Sequence, residues 1–418
     1  MIDGTGRRRA DVLVQNQMVV ACGADIGDVP AGTVVLDASG CIVSPGLVDL
    51  HSHLREPGRE EAETVETGAR AAALGGYTAV VAMPNTDPPI DSAAVVRQVL
   101  ELGARTICDV RVAGAITVGR AGSRLAPMAE MAALGVRLFT DDGNGVQDSR
   151  LMRRALEYSS VLGVTLGQHC EDSSLAAGGH MHEGEWSSRL GIPGVPAEAE
   201  ELMVMRDVAL SRLTGAPVHF LHLSTATSVG MVRAAKAAGV AVTAEAAPHH
   251  FTLTDAEVAS YDTVFKVNPP LRPRSDVEGV KQGLADGTID AIATDHAPHA
   301  QEDKEAPFDQ APPGMLGLET ALALALTELD LPIETVLALL CWQPAAIAGL
   351  AGTHGGPIKA GAPANLCVID PALTWVVDPA QLASRSRNCP YGGRTLTGRV
   401  RHTVLHGEPV VINGEAQR

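Results

Sequence analysis

The stretch Cys41–His53, CIVSPGLVDLHSH, decides how the fold is read. It is apolar for most of its length and stops on two histidines one residue apart. Seven later runs share that form: YTAVVAMPN (77–85), ICDVRVAGAI (107–116), VRLFTDD (136–142), VTLGQHCED (164–172), VHFLHLS (218–224), VTAEAAPHH (242–250) and IDAIATDHAPH (289–299). Parallel strands buried on both faces read as continuous apolar runs rather than as alternation. Between the runs lie Ala/Leu/Glu/Arg-rich segments with helical spacing, at Glu63–Gly75, Ser149–Leu162 and Ala197–Leu213. Eight strand–helix units over roughly 300 residues predict an α/β fold of the (β/α)8 TIM-type barrel kind, enlarged by loops. A doubly wound open sheet is the competing arrangement. No GxGxxG follows the first strand, which weakens its dinucleotide-binding version.

The two ends of the chain have a different rhythm. ADVLVQNQMVVACG (10–23) and TVVLDASGCIVS (33–44) alternate valines with polar residues, as do ANLCVIDP (364–371) and LTGRVRHTVLHGEPVVING (396–414). Gly and Asp mark the turns between them. The expectation is a small β-sandwich domain built from residues 1–45 and 351–418, attached to a barrel of residues 46–350.

Composition excludes several classes. The chain has 418 residues, 45% of them apolar, enough to bury a large core. It carries 49 acidic against 32 basic residues, a net charge of −17, which argues against nucleic acid as the main partner. No stretch of about 18 uninterrupted apolar residues exists, so no membrane span is expected. The opening MIDGTGRRRADVLV lacks the apolar core of a secretory signal. Seven scattered cysteines, an odd number, fit reduced thiols in a cytoplasm better than a disulfide framework.

The chemistry falls where strands end. Barrel enzymes draw their active sites from the C-terminal ends of the strands. Here those ends carry His51 and His53, Asp141 and Asp142, His169, His222, and Asp295 with His299. Residues i and i+2 of a strand point to the same side, so His51 and His53 present two imidazoles together. His and Asp are ligands expected of zinc, and a catalytic site keeps a position open for water. A lone histidine at a strand end is more often a hydrogen-bonded core residue; the joint placement of His51, His53, His169 and His222 with Asp295 and one of Asp141 and Asp142 points to a metal site. His249 and His250 end the seventh run, with a supporting or a structural role both open. His180, His182, His219, His354, His402 and His406 read as ordinary.

VDLHSHLREPG (48–58) resembles the signature of the amidohydrolase superfamily, and more narrowly the class I dihydroorotases of pyrimidine biosynthesis. MPNT (83–86), FTDDG (139–143), HCED (169–172), HLST (222–225), KVNPPLR (266–272) and TDHAPH (294–299) extend the likeness along essentially the whole chain. The resemblance implies two zinc ions per chain: His51 and His53 on the first, with Asp295 nearby or coordinating, His169 and His222 on the second, and Asp142 bridging. Strand alternation says only that one of Asp141 and Asp142 faces inward; the choice of Asp142 rests on the family. Many relatives bridge instead with a carbamylated lysine. The first of this chain's five lysines is Lys236, so none lies on the early strands. Two cations together lower the pKa of a shared water and polarise the scissile carbonyl. Asp295 then serves as general acid/base, and the reaction is the reversible cyclisation of N-carbamoyl-L-aspartate to L-dihydroorotate.

The same resemblance assigns substrate contacts. His53 lies close to the substrate. Arg55 can grip its free carboxylate bidentately, aided by Asn85 and His299, and Asn268 would contact the ring. Without the resemblance, Asn85 reads better as a turn former in PNTDPP. The family carries an aromatic–Gly pair against the ring; here the pair is Pro313-Gly314. The polar stretch AQEDKEAPFDQAPPGM (300–315), which contains this pair near its end, is expected to close over the mouth. A cytoplasmic homo-oligomer is expected, with aspartate transcarbamoylase as a candidate partner. Three other readings compete: another cyclic amidase, such as a hydantoinase or allantoinase, a single-metal deaminase, and an inactive scaffold for aspartate transcarbamoylase. The missing lysine and the presence of Arg55 weigh against the first, Asp142 against the second, and the full ligand set against the third.

Overall fold

The computed structural model describes residues 1–417. Eight parallel strands carry the barrel: β1 (Leu47–Ser52), β2 (Tyr77–Ala82), β3 (Asp109–Val112), β4 (Leu138–Thr140), β5 (Thr165–Gln168), β6 (Val218–Phe220), β7 (Val242–Ala246) and β8 (Ala291–Ile292). They form two arcs, β1-β2-β3 and β4-β5-β6-β7-β8. Single bridges join the arcs at both seams, Gly114 to Phe139 after β3 and Ser52 to His296 after β8. Backbone hydrogen bonds reinforce them, from Thr140 to Gly114 at 2.8 Å and from His53 to His296 at 2.8 Å. Every residue of β1 and β2 is buried, as expected of strands covered on both faces. Leu50, Val81, Ala113, Leu138 and Ala291 come from both arcs into one apolar cluster, so the ring is packed rather than hollow.

Helices follow where the spacing placed them. Glu63–Gly75 contains a helix at Val65–Leu74 capped by Thr64, and Ser149–Leu162 is helical over those residues, with the Asp148 side chain accepting from Leu151 N at 2.6 Å. The third covers Glu198–Thr214. The first two lay an apolar face on the ring, whereas Glu198–Thr214 buries Glu200, Asp207 and Ser211 beside Ala199, Met203 and Val204 and leaves Leu202, Met205 and Leu213 exposed. Burial of an apolar face, not propensity, holds the first two.

Both chain ends build one antiparallel sheet. Ile42–Pro45 pairs with Leu366–Val376, which pairs with Thr395–Leu405, followed by Glu408–Ile412 and Glu415–Ala416. The hairpin of Asp11–Gln15 and Met18–Gly23 lies against this sheet through Val19, Ala364, Leu366 and Val404. One expectation is corrected. Thr33–Ser39 is not a strand, and Val34 and Val35 are 66% and 82% exposed; they lack the partner that would make alternation pay off in burial. Residues 377–394 leave the sheet, and Ser384–Asn388 crosses to the barrel mouth. No helix among the described residues is long and apolar enough to cross a membrane, and all seven cysteines are free.

Candidate metal centre

Asp142 sits just past β4, and its two oxygens face different histidine pairs. Oδ2 lies 3.5 Å from His51 Nε2 and 3.6 Å from His53 Nε2. Oδ1 lies 3.5 Å from both His169 Nδ1 and His222 Nε2, which are 3.0 Å from each other. These five groups form two overlapping clusters sharing Asp142, all buried. Tetrahedral ligands about 2.0–2.1 Å from a zinc ion lie roughly 3.3 Å from one another, so the spacings suit ions at both clusters. His51 Nε2 is buried with no hydrogen-bond partner, which costs free energy unless something accepts its lone pair. The donor set and its spacing therefore fit a metal.

Asp295 adjoins the first cluster. Its Oδ1 is 3.1 Å from His53 Nε2 and 3.5 Å from His51 Nε2, and its Oδ2 is 3.8 Å from His249 Nε2. Burial works against charge on both aspartates. It is outweighed at Asp142 by His51, His169 and His222, and at Asp295 by His53, His51 and His222, so both carboxyls are held well below the usual range. Burial lowers His249 to about 4, so it faces Asp295 as a neutral ring. His249 and His250 are not at a strand end; they occupy a short helix, Pro248–Thr252, begun by Pro248. His250 Nε2 donates to the Pro269 carbonyl at 3.0 Å.

Asp141 points elsewhere. It accepts from the backbone N–H groups of Ile116 and Thr117 at 2.9 and 3.0 Å and from the Thr117 hydroxyl. That difference between neighbours follows from the side-to-side alternation of an extended chain.

The residues read as substrate contacts line the same mouth. Arg55 is buried and adopts φ +62°; its Nε donates to the Pro298 carbonyl at 3.0 Å and NH2 lies 3.3 Å from His299 Nε2. Burial, then the nearby Arg59, pushes its guanidinium down to about 10. His299 is driven to about 2 by burial and by Arg55, and its Nε2 donates to the Pro313 carbonyl at 2.8 Å. Asn85 Oδ1 accepts from His53 Nδ1 at 2.7 Å, so it orients a cluster histidine. Asn268 Nδ2 is 3.5 Å from His169 Nε2. Gly314 has φ +149°, and a Cβ there would lie 2.7 Å from the Ala297 carbonyl and 2.8 Å from His299 Nε2; only glycine fits. The Pro313 ring is exposed, so this position offers a carbonyl and no aromatic face. The 300–315 stretch is tied to the segment before Asn268, with Gly314 N donating to the Lys266 carbonyl at 2.9 Å. Lys304 reaches the carbonyls of Lys266, Pro312 and Gly314 at 3.4, 3.0 and 3.2 Å.

Several supporting residues were not singled out from sequence. Glu245 of β7 accepts from His51 Nδ1 at 2.9 Å and from His219 Nε2 at 3.0 Å, so His219 also belongs to the support. Asp49 of β1 accepts from the Thr294 N–H and hydroxyl, both at 2.7 Å, fixing the residue before Asp295. Glu200 accepts from the N–H and hydroxyl groups of Ser224 and Thr225, just beyond His222. The available signal was an acidic residue inside or beside an apolar run, since a buried carboxylate must be paired. His222 and Asp295 have φ of +29° and +45°, and strain of this kind gathers at functional sites.

Residues 40–228 match the family model described as dihydro-orotase-like. The chain is 50% identical over 406 residues to the dihydroorotase of Pelotomaculum thermopropionicum, covering 96% of this chain and 94% of that protein. It is 50% identical over 417 residues to the dihydroorotase of Streptomyces coelicolor, covering 98% and 97%. Among solved structures it resembles the L-hydantoinase (dihydropyrimidinase) of Arthrobacter aurescens, with a TM-score of 0.89 at 26% identity over 100% of this chain and 95% of that one. An amidohydrolase-type barrel, a His/Asp cluster at its mouth and half-identity along nearly the full length agree: the chain belongs to the dihydroorotase family.

Proposed function

We propose that the protein is a dihydroorotase, interconverting N-carbamoyl-L-aspartate and L-dihydroorotate in pyrimidine biosynthesis. The observation that carries this reading is Asp142 set between two histidine pairs with Arg55 in the same mouth, in a chain half identical to dihydroorotases over 96% of its length. A hydantoinase would share the barrel, but a neutral ring does not call for a buried arginine.

His51, His53, Asp142, His169 and His222 would hold two zinc ions, with Asp295 beside the first. When bound, such ions acidify water and polarise the amide carbonyl. The protein's own residues do the rest. Arg55 anchors the substrate carboxylate as a charge-assisted pair, with His299 and Asn85 completing that end of the site. Asn268 and the backbone of Gly314 contact the ring. His53 orients the reacting end. Asp295, ionised at rest, takes a proton from the attacking water and returns it to the departing amide nitrogen; in synthesis the same transfers run backwards.

The far field of a −17 chain repels a dianion. Locally, Arg55 opposes that field, and metal ions held by the cluster would reverse its sign. The free thiols suit a reducing cytoplasm. Self-association and binding to aspartate transcarbamoylase complete this reading and are read out by light scattering with and without that partner. The central test is dihydroorotate formation from carbamoyl aspartate, with hydantoin as control and metal analysis alongside. Turnover with about two zinc ions per chain is the expected result. Hydantoin cleavage alone, or one metal per chain, overturns it.

A further inference from the structure

The segment Ala383–Asn388 comes from the far end of the chain yet lies against the last strand's loop. It is fastened along its length. Ala383 N donates to Glu319 Oε1 at 2.8 Å, Ser384 Oγ donates to Glu63, Arg385 N donates to Glu63 Oε1 at 3.0 Å, and Ser386 Oγ donates to the Ala62 carbonyl at 2.6 Å. Glu63 also faces His296 Nε2, at 3.3 Å, next to Asp295.

Asn388 ends this strap, 6% exposed. Its amide nitrogen donates to the carbonyls of Ala297 at 2.9 Å and Gly314 at 3.1 Å, and its Oδ1 accepts from His299 N at 3.2 Å. Its backbone carbonyl accepts from Leu316 N at 3.1 Å. The amide is used to the full: two donors meet two carbonyls and the acceptor meets an N–H. Turning it over would set an oxygen against both carbonyls, so the orientation is unambiguous. The side chain spans two pieces of chain that also pair directly, through Ala297 N to the Met315 carbonyl at 2.7 Å and His299 Nε2 to the Pro313 carbonyl at 2.8 Å, and it is the group that binds both from the strap side. One carries His299, the other Gly314. Both are substrate contacts in the reading above, and a small misplacement of such groups is costly.

We propose that Asn388 is a positioning residue for substrate, fixing His299 and the Gly314 backbone in one geometry. This rests on the roles given to His299 and Gly314 under the proposed function. It acts through them and touches neither the metal ligands nor Asp295. Its loss therefore weakens binding before it slows chemistry.

The test is steady-state kinetics of dihydroorotate hydrolysis by the zinc-loaded full chain. The variants are Asn388→Ala, the milder Asn388→Ser, Asn388→Asp, which keeps the acceptor but loses both donors, and His299→Ala. Metal content and Tm are measured on each. Expected is a KM increase of roughly tenfold for Asn388→Ala, at least as large for Asn388→Asp and smaller for Asn388→Ser, with metal content unchanged and kcat altered less than KM. A merely structural role would lower Tm and active fraction, and so kcat, at constant KM. Wild-type KM in the folded Asn388 variants beside a raised KM in His299→Ala overturns the proposal alone. Wild-type KM in His299→Ala overturns the substrate role of His299, and this proposal with it.

Discussion

Glu245 accepts a hydrogen bond from Nδ1 of His51 at 2.9 Å, and this leaves Nε2 as the ring nitrogen that faces the His/Asp cluster. With the proton held on Nδ1, the lone pair is on Nε2, the atom that lies 3.5 Å from Asp142. Burial opposes charge on Glu245, but hydrogen bonds from His219 and His51 hold it at about 2. A second partner of a ligating histidine typically raises metal affinity 10–100-fold. Glu245→Gln keeps shape and loses that charge. We expect zinc affinity at one of the two positions to fall by roughly that factor, measured by chelator competition. Undiminished affinity at both positions would show that the pair serves packing alone.

Asp295→Asn separates proton transfer from metal binding. Asp295 adjoins His53 and His51, but those histidines still have Asp142. General acid/base groups contribute ~10²–10⁴-fold, so kcat should fall in that range while metal content stays near wild type. A near-normal rate would remove Asp295 from proton transfer. Loss of a metal would make it chiefly a ligand.

How far the sequence exposes this site depends on where each residue sits in its run. His51, His169, His222 and Asp295 stand out because each interrupts an apolar run at the point where a barrel strand must end. Glu245 does not, because it lies inside VTAEAAPHH and leaves the run looking continuous. Its partners, His51 and His219, are 194 and 26 residues away. Asn388 is harder still. It sits in a polar stretch, RSRNCPYGG, that reads as a surface loop of the terminal sheet, and its side-chain contacts are 74, 89 and 91 residues distant. Local pattern reports burial and period; it does not report which loop crosses to which. The same limit explains Thr33–Ser39, where valine alternation predicts a strand that no neighbour pairs with.

Arg55→Ala tests recognition of the substrate carboxylate. The guanidinium is buried, and the structure gives it carbonyl and imidazole neighbours in place of a protein carboxylate. Hydrogen bonds to charged groups contribute about 1.5–3 kcal/mol, or roughly 10–150-fold in kcat/KM. The loss should appear mainly in KM for carbamoyl aspartate. Arg55→Lys should rescue little, because a point charge does not reproduce the fork. Unchanged KM and kcat in Arg55→Ala would place the carboxylate elsewhere.

Asp109 offers a test of stability away from the mouth. It opens β3, and its oxygens lie 2.9 Å from His354 Nε2 and 2.9 Å from His406 Nε2, tying the barrel to the chain's C-terminal part. Burial works against its charge, but hydrogen bonds from His354 and His406 bring the carboxyl down to about 2 from an ordinary 3.8. The folded pKa lies below the unfolded one, so the unfolded chain binds the extra proton between those values. The contribution is therefore present above about pH 4 and lost as pH falls toward 2. At one pKa unit per 1.36 kcal/mol, and with the side chain partly exposed, it comes to about 1–2 kcal/mol. Asp109→Asn should lower stability by that amount at pH 7, measured by urea denaturation. The gap between variant and wild type should narrow as pH drops from about 4 toward 2. A gap that stays constant across that window would mean that shape at position 109, and not its charge, joins the two parts.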